Sequence, residues 1–235
     1  MNCNLINLPA VEKKFKEINL RVNMSKIAVI GGSGFTELVK ENIIFLQRHG
    51  SDVPPHKINH KENILSLKKQ GAEVVIGINS VGSLKKEIKP GSIVIPDDYI
   101  SLKDIQTYYD LEVRHITPGL DEDIRKKIIA TASEINLKVI EKGVYIQAIG
   151  PRLETKAEIN MIKNYADVVG MTMANEATLA KELGLKYASI CSVDNYANGI
   201  TEEPVTFEDI KMAQKKNKEK IERLLNRLIC NLQKD

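Results

Sequence analysis

The residues best suited to holding an anion occur near the start of the chain. Residues 31–34, GGSG, follow an apolar run, and Ser33 adds a hydroxyl to backbone N–H groups that glycines leave accessible. Arg48 and His49 come next, and a guanidinium presents a planar fork of donors that matches a phosphate dianion. The glycine segment lacks the lysine of a P-loop and the spacing of a dinucleotide fingerprint. These residues predict an anion site, and the alternative for Arg48 and His49 is a solvated surface pair.

Further polar side chains follow apolar runs in the second half of the chain. Glu154 comes soon after a Gly-Pro turn, and Thr172 and Asn195 each follow a short apolar run. In open α/β sheets, residues at the ends of buried strands line the crevices that bind ligands. We therefore predict that these three side chains share a site. The alternative is a turn, a helix and core strands with nothing bound.

The rest of the chain supplies strand and helix patterns that could position these side chains. Short β-branched runs predict strands, and apolar residues at helical spacing predict helices. The predicted strands cover residues 27–30, 74–78, 91–96, 144–149, 168–171 and 187–193, and the predicted helices cover residues 61–70, 121–136, 175–183 and about 206–232. This alternation predicts an α/β fold with a central mixed sheet between helices. Residues 101–120 carry little pattern and predict a long loop, of the kind that is functional or mobile in a compact domain.

Size and composition limit the class of protein. The 235 residues fit one domain with a sizeable core, and the small net charge of +3, spread along the chain, argues against a nucleic-acid partner. The apolar runs are far shorter than the roughly 20 residues of a membrane helix, and the start of the chain does not resemble a signal peptide. Three cysteines without CxxC spacing predict a reducing, cytoplasmic location.

Five segments carry a resemblance to a known family. They are IGGSG at 30–34, RHG at 48–50, NSVGSLKKEIKPGSIVIPDDYI at 79–100, GPRLETKAEINMIKNYADVVGMTMANEATLAK at 150–181 and YASICSVDNYANG at 187–199. In this order the chain resembles the purine nucleoside phosphorylase and methylthioadenosine phosphorylase family over most of residues 25–225. The resemblance implies a three-layer α/β/α fold, a single domain at 24–235 with an N-terminal extension of unknown role at 1–23, and a homotrimer.

The resemblance also implies roles for individual residues. Phosphate would be held by Ser33, Arg48, His49, Ser80 and Thr172. The catalytic contacts to the base would come from Glu154 and Asn195, and the nucleoside would be lined by Met171, Leu153, Ala197, Phe207, Val205, His56 and His115. His115 would reach across a subunit boundary. Inorganic phosphate would be the co-substrate, and neither a metal ion nor an organic cofactor is expected, since no cluster has metal-ligand spacing.

The residues at the base predict a 6-oxopurine. An ionised Glu154 only accepts hydrogen bonds, so it matches the N1–H of hypoxanthine or guanine and repels the bare N1 of adenine. Asn195 both donates and accepts, which suits N7 and O6 together. Adenine-selective members of the family carry Asp at the positions of Asn195 and Ala197. The hydrogen-bond argument and the resemblance therefore agree.

The residues near the 5′ end of the ribose favour a less polar substituent. Phe207, beside Val205, stands where inosine and guanosine phosphorylases of the family place a histidine. An apolar lining suits a methylthio group. The resulting prediction is 5′-methylthioinosine, phosphorolysed to hypoxanthine and 5-methylthioribose 1-phosphate, and inosine or guanosine is the alternative if Phe207 is only helix core.

Three departures from the family leave other functions open. Residues 35–47 are fewer than in relatives, Leu153 replaces a stacking Phe, and Asp194 replaces a hydroxyl residue beside Asn195. The remaining alternatives are a 5′-methylthioadenosine phosphorylase, a nucleoside hydrolase and a non-catalytic nucleoside-binding protein. A hydrolase would leave the phosphate residues without a role.

Overall fold

The strands of the protein form one mixed sheet. The computed structural model describes residues 26–38, 40, 43–50, 52–101, 103, 105–202 and 205–233. Its strands are β1 (Lys26–Gly31), β2 (Ile43–Gln47), β3 (Ala72–Ser83), β4 (Ile93–Val94), β5 (Asp98–Ile100), β6 (Val144–Gln147), β7 (Val168–Gly170) and β8 (Lys186–Tyr196). They pair in the order β2-β1-β3-β7-β6-β5, and β8 pairs with β3 and β4. Most pairs are parallel, whereas β7 is antiparallel to β3 and β4 is antiparallel to β8, so the predicted mixed sheet is confirmed.

Helices cover both faces of this sheet. They are α1 (His60–Lys69), α2 (Glu122–Glu134), α3 (Lys156–Ile162), α4 (Met173–Glu182) and α5 (Phe207–Leu232). Leu67 of α1 and Leu179 of α4 belong to one buried cluster, and Ile128 of α2 and Leu224 of α5 belong to another. Neighbouring residues of β3 contribute to opposite clusters because side chains alternate across a strand. The predicted three layers are confirmed. None of the helices in the described ranges combines the length and apolar composition of a bilayer-spanning segment.

Strands β3 and β8 are longer than predicted, and this changes how the site is built. The two strands remain paired as far as Ser83 and Tyr196, so the polar residues that were predicted to follow them lie within them. Asn79 and Asn195 are therefore strand residues. The buried amide of Asn79 is satisfied within the fold, since it donates to Thr172. Strands β4, β6 and β7 are shorter than predicted.

Two predicted segments connect or precede these elements. The described residues between 101 and 120 contain neither helix nor strand, which confirms the predicted loop. The predicted extension at residues 1–23 lies outside the described residues.

Candidate active site

A cavity of about 620 Å³ lies beside the last residues of β3, β7 and β8 and the segments that follow β1 and β2. Most of the predicted site residues line it: Ser33, Arg48, His49, Ser80, Leu153, Glu154, Met171, Thr172, Asn195, Ala197 and Val205. Residues separated by most of the chain thus meet at one place, as the strand-end argument predicts.

Arg48 is held in the wall of this cavity by a buried carboxylate. Its Nε and Nη2 donate to the two oxygens of Glu176 at 2.5 and 2.9 Å, and its Nη1 donates to the Ile78 carbonyl at 2.7 Å. The Tyr187 hydroxyl also donates to Glu176, at 2.7 Å. Burial alone would raise the pKa of Glu176, but the guanidinium reverses this and the pKa is lowered. Three of the five guanidinium N–H groups are occupied, which leaves one on each Nη for a ligand.

The neighbouring backbone and imidazole have restricted conformations. A Cβ on Gly32 would lie 2.5 Å from Arg48 Nη1 and 2.4 Å from the Ile78 oxygen, so only glycine fits beside the guanidinium. His49 Nδ1 lies 2.8 Å from the Val53 carbonyl oxygen, and because a carbonyl only accepts, Nδ1 carries the proton. His49 Nε2 therefore donates to an anion only when the ring is protonated.

The Thr172 hydroxyl is oriented as a donor. Asn79 Nδ2 donates to Thr172 Oγ1 at 3.0 Å, and the Asn79 oxygen in turn accepts from the Ser189 hydroxyl at 2.8 Å. Since an acceptor site of Thr172 Oγ1 is already filled from the protein side, its proton remains for an acceptor on the other side. A phosphate oxygen in the cavity would be such an acceptor.

The N-terminus of α4, which follows Thr172, is satisfied by two side chains of β6. The Tyr145 hydroxyl accepts from the Thr172 and Met173 N–H groups at 3.1 and 3.3 Å. Gln147 Oε1 accepts from the next two N–H groups at 2.7 and 3.3 Å. These four amides, which a helix start normally leaves unpaired, are used by the protein itself. Helix α4 thus favours an anion through its dipole rather than through free amides.

A Tyr145→Phe variant is expected to lose about 1–3 kcal/mol of unfolding free energy, because two buried N–H groups lose their acceptor. Urea denaturation measures this. Tyr165→Phe is the matched control, since Tyr165 is 72% exposed and its change should stay within about 0.5 kcal/mol. Equal stabilities of the two variants would contradict the role of Tyr145.

Ser80 and Asp194 meet where the pairing of β3 and β8 is irregular. Val81 pairs with Val193 and Gly82 with Asn195, so Asp194 has no partner in β3 and forms a bulge. The Ser80 hydroxyl donates to Asp194 Oδ2. A bulge re-aims the residues beside it, and here it brings Asn195 to the cavity while Asp194 stays buried behind Ser80.

Glu154 is positioned by the start of α3. Thr155 caps this helix through a capping box with Glu158, and Arg152 donates to both oxygens of Glu158 at 2.8 Å. These contacts fix the segment that carries Leu153 and Glu154 into the cavity wall. Burial raises the pKa of the Glu154 carboxyl.

Asn195 also lines the cavity, and its side chain lies beside Gly82 of β3. A Cβ on Gly82 would lie 3.2 Å from Asn195 Nδ2 and 3.6 Å from Ala197 Cα, so the glycine gives the amide room. Asn195 Nδ2 donates to the Tyr196 carbonyl at 2.8 Å. Asn198 Nδ2 donates to the Glu154 carbonyl at 3.3 Å, which ties the two sides of this end of the cavity together.

The wall formed by α5 is more polar than predicted. Val205 and Ile210 line the cavity, but so do Thr206, Lys211 and Gln214. The side chain of Phe207 lies outside the described part of the chain. Val205 thus lines the cavity as predicted, and polar residues lie beside it in the same wall. Residues at the start of the helix formed the basis of the prediction, whereas residues of the following turn also face the cavity.

The matches with known proteins agree with this geometry. The profile of the Phosphorylase superfamily matches residues 10–229. The chain belongs to this superfamily. It is 48% identical over 179 residues to a probable 6-oxopurine nucleoside phosphorylase of Archaeoglobus fulgidus, covering 75% of this chain and 74% of that protein.

Further members of the phosphorylase superfamily match over more of the chain. An S-methyl-5′-thioadenosine phosphorylase of Pyrococcus horikoshii is 39% identical over 238 residues, covering 88% of this chain and 92% of that one. A probable S-methyl-5′-thioinosine phosphorylase of Methanocaldococcus jannaschii is 39% identical over 222 residues, covering 82% and 88%. A methylthioadenosine phosphorylase structure from Schistosoma mansoni has a TM-score of 0.80 at 22% identity, covering 90% of this chain and 93% of that one, and shares the fold. The predicted phosphorylase membership and fold are confirmed.

Two histidines predicted from the phosphorylase resemblance do not line the cavity of this chain. His56 is exposed on the short turn Pro55–Lys57, where Pro55 faces the cavity instead. His115 is exposed on the loop before α2. The nearby His60 is buried, its Nδ1 lies 3.9 Å from Glu176 Oε1 without a hydrogen bond, and burial lowers the pKa of its ring. Turn geometry decides which way such residues point, and sequence spacing does not reveal it.

Several residues in or behind the cavity wall of this phosphorylase-family chain were not predicted from its sequence. They are Glu176 and Tyr187 behind Arg48, Tyr145 and Gln147 at the start of α4, and Asn198 and Gln214 in the cavity wall. Glu176 could have been found from the sequence, because it is the one charged residue among the mostly apolar buried residues of α4.

No metal site was found in the described part of the chain: no group of three or more His, Cys, Asp or Glu side chains there is placed to hold an ion.

Proposed function

We propose that the protein cleaves the N-glycosidic bond of a 6-oxopurine nucleoside with inorganic phosphate as the nucleophile. The observation that carries this proposal is one cavity lined by two groups of side chains. Arg48 and Thr172 offer donors that suit a phosphate dianion, and Glu154 and Asn195 offer an acceptor and an amide that suit a purine. The phosphorylase fold and the relatives named as nucleoside phosphorylases support it.

Phosphorolysis at this site would depend on positioning and charge. Arg48, Thr172 and the Ser33 hydroxyl would hold phosphate against C1′ of the ribose, with Met171 as an apolar floor. As the bond to the purine lengthens, the sugar gains cationic character, which the phosphate dianion stabilises. The new C1′–O bond to phosphate forms while the C1′–N9 bond breaks, and the products are the free base and a ribose 1-phosphate.

The purine leaving group would be stabilised by the other group of residues. The departing base gathers negative charge, and the Asn195 amide would donate to N7 or O6. The Glu154 carboxylate would accept from N1–H. Adenine offers no N1–H, and leaving a buried acceptor unpaired costs about 1–3 kcal/mol or more, which favours 6-oxopurines.

For the 5′ group we propose methylthio rather than hydroxyl. The two aliphatic residues Val205 and Ile210 support this choice, and one relative is named as a probable S-methyl-5′-thioinosine phosphorylase. The product pair would then be hypoxanthine and 5-methylthioribose 1-phosphate. The polar Thr206 and Gln214 favour inosine as the second candidate.

We further propose a cytoplasmic homotrimer that needs no organic cofactor or metal ion. His115, exposed on its loop, would complete the cavity of a neighbouring copy, as the family resemblance implies. The exposed Leu111 and Val113 on the same loop support a contact between copies.

The test is base release from 5′-methylthioinosine, inosine, guanosine and 5′-methylthioadenosine, each with and without phosphate. We expect phosphate-dependent release, fastest from methylthioinosine. Release without phosphate would indicate a hydrolase, and preference for methylthioadenosine would overturn the roles of Glu154 and Asn195. Substrate binding without turnover would indicate a nucleoside-binding protein.

A further inference from the structure

The bulge in β8 buries a carboxylate that is held by neutral groups. Asp194 is 1% exposed. Its Oδ1 accepts from the Ser192 hydroxyl at 2.5 Å, and its Oδ2 accepts from the Ser80 hydroxyl. Gln214 Nε2 reaches Ser80 Oγ at 3.4 Å, and Asn217 Nδ2 donates to Ser192 Oγ at 2.8 Å. Four neutral side chains from three elements thus surround one buried acid.

In this arrangement the Ser80 hydroxyl has the opposite hydrogen-bonding role from the Thr172 hydroxyl. Both hydroxyls belong to residues that line the cavity. Thr172 accepts from Asn79 and keeps its proton for a ligand. Ser80 gives its proton to Asp194 and accepts from Gln214, so its oxygen offers a ligand only its remaining lone pair. A phosphate dianion would be repelled by this lone pair and by the ionised Asp194 behind it.

Taking phosphate as the co-substrate in the proposed function, we propose that Asp194 is a positioning residue that couples anion binding to uptake of one proton. When the dianion enters, Asp194 takes a proton from the solvent and an O–H bond forms on its carboxyl group. The Ser80 hydroxyl is then released from Asp194 and turns to donate to the anion. Asp194 acts through Ser80 and does not touch the substrate.

The electrostatic surroundings are consistent with this proton uptake. Burial raises the pKa of Asp194 to about 6, although the bonds from Ser192, Ser80 and Gln214 oppose the rise. The free site is therefore ionised at neutral pH, and a neighbouring dianion raises the pKa further. Strand β3 carries only Glu73, at its opposite end. The other titratable side chains that face the interior or the cavity from the surrounding elements include two of the cavity lining, His49 and Glu154, together with His60, Cys191, Tyr187, Lys211, Lys220, Arg125, and Glu176 with its partner Arg48.

The experiment is calorimetric titration of the full chain with sulfate, a dianion that does not itself titrate near neutral pH. Binding heats in two buffers of different ionisation enthalpy give the number of protons taken up. For the wild type we expect an uptake of at least about one, and a sulfate Kd that weakens by at least about tenfold per pH unit above the pKa of the free site. Asp194→Asn and Asp194→Thr should take up about one proton fewer than the wild type and show a correspondingly shallower slope, because any uptake by the His49 ring is common to all three chains. Asp123→Asn, an exposed acid of α2, is the control and should behave as the wild type.

The possible results distinguish a wrong role for Asp194 from a wrong phosphate site. Sulfate binding without proton uptake by the wild type, or equal uptake by Asp194→Asn, would overturn the role of Asp194 while phosphorolysis stands. If neither sulfate nor phosphate binds and no phosphate-dependent turnover occurs, the phosphate site itself is wrong and both proposals fail.

Discussion

An Arg48→Ala variant is expected to lose about 3–5 kcal/mol of unfolding free energy, because removing one partner leaves the buried Glu176 carboxylate uncompensated. The KM for phosphate should also rise by about ten- to a hundredfold, since two charge-assisted donors are lost. The KM for the nucleoside should change far less. Urea denaturation and kinetics at varied phosphate measure these effects.

The double variant Arg48→Ala/Glu176→Gln separates the two consequences. Replacing the carboxylate with a neutral amide removes the unpaired charge, so much of the stability should return while the KM for phosphate stays high. If both the stability and the KM for phosphate returned to the wild-type values, Arg48 would matter only for folding. Equal increases in the two KM values would remove Arg48 from the phosphate site.

Replacing Asn195 with Asp is expected to reverse much of the selectivity for the base. A carboxylate cannot donate to O6 and repels it, whereas it accepts from the 6-amino group of adenine. Loss of one buried hydrogen bond and gain of another correspond to about 1–3 kcal/mol, so the inosine-to-adenosine ratio of kcat/KM should fall by about tenfold to a hundredfold.

Thr206→Asp is the matched control for this substitution. It adds the same charge to the lining of the same cavity, but Thr206 caps the start of α5 rather than facing the base in our assignment, and Asp can also cap a helix. Its ratio should stay close to that of the wild type. If both variants shift the inosine-to-adenosine ratio of kcat/KM equally, the electrostatic field of the cavity determines selectivity, and not a hydrogen bond of Asn195 to the base.

The sequence predicted the fold and the strand-end side chains because both follow from local patterns. Apolar periodicity locates β1, β3 and β8, and the polar residues that interrupt these runs are Ser33, Ser80 and Asn195. The rule that strand ends line crevices then brings them together. The pattern was sufficient here because Ser80 and Asn195 lie in one rigid sheet and Ser33 lies two residues after its strand β1.

Contacts between distant segments could not be predicted in this way. Arg48 and Glu176 are 128 positions apart, and nothing near either residue identifies its partner. Tyr145 has the sequence appearance of an ordinary core aromatic, yet its hydroxyl supports the start of α4. The polar side of α5 was missed because its Lys and Gln residues resemble a solvated face until the helix is packed against β8.

The unpaired residue in β8 has a consequence for comparing this protein with its relatives. Val193 and Asn195 face consecutive residues of β3, so the strand gains one position relative to its partner at Asp194. In a homologous strand that lacks this bulge, the residue equivalent to Asp194 would therefore face the cavity in place of the residue equivalent to Asn195. The amino-acid sequence of this motif is therefore not enough to assign a substrate. The register of β8 against β3 must be known in each relative before its residues are equated with those of this chain.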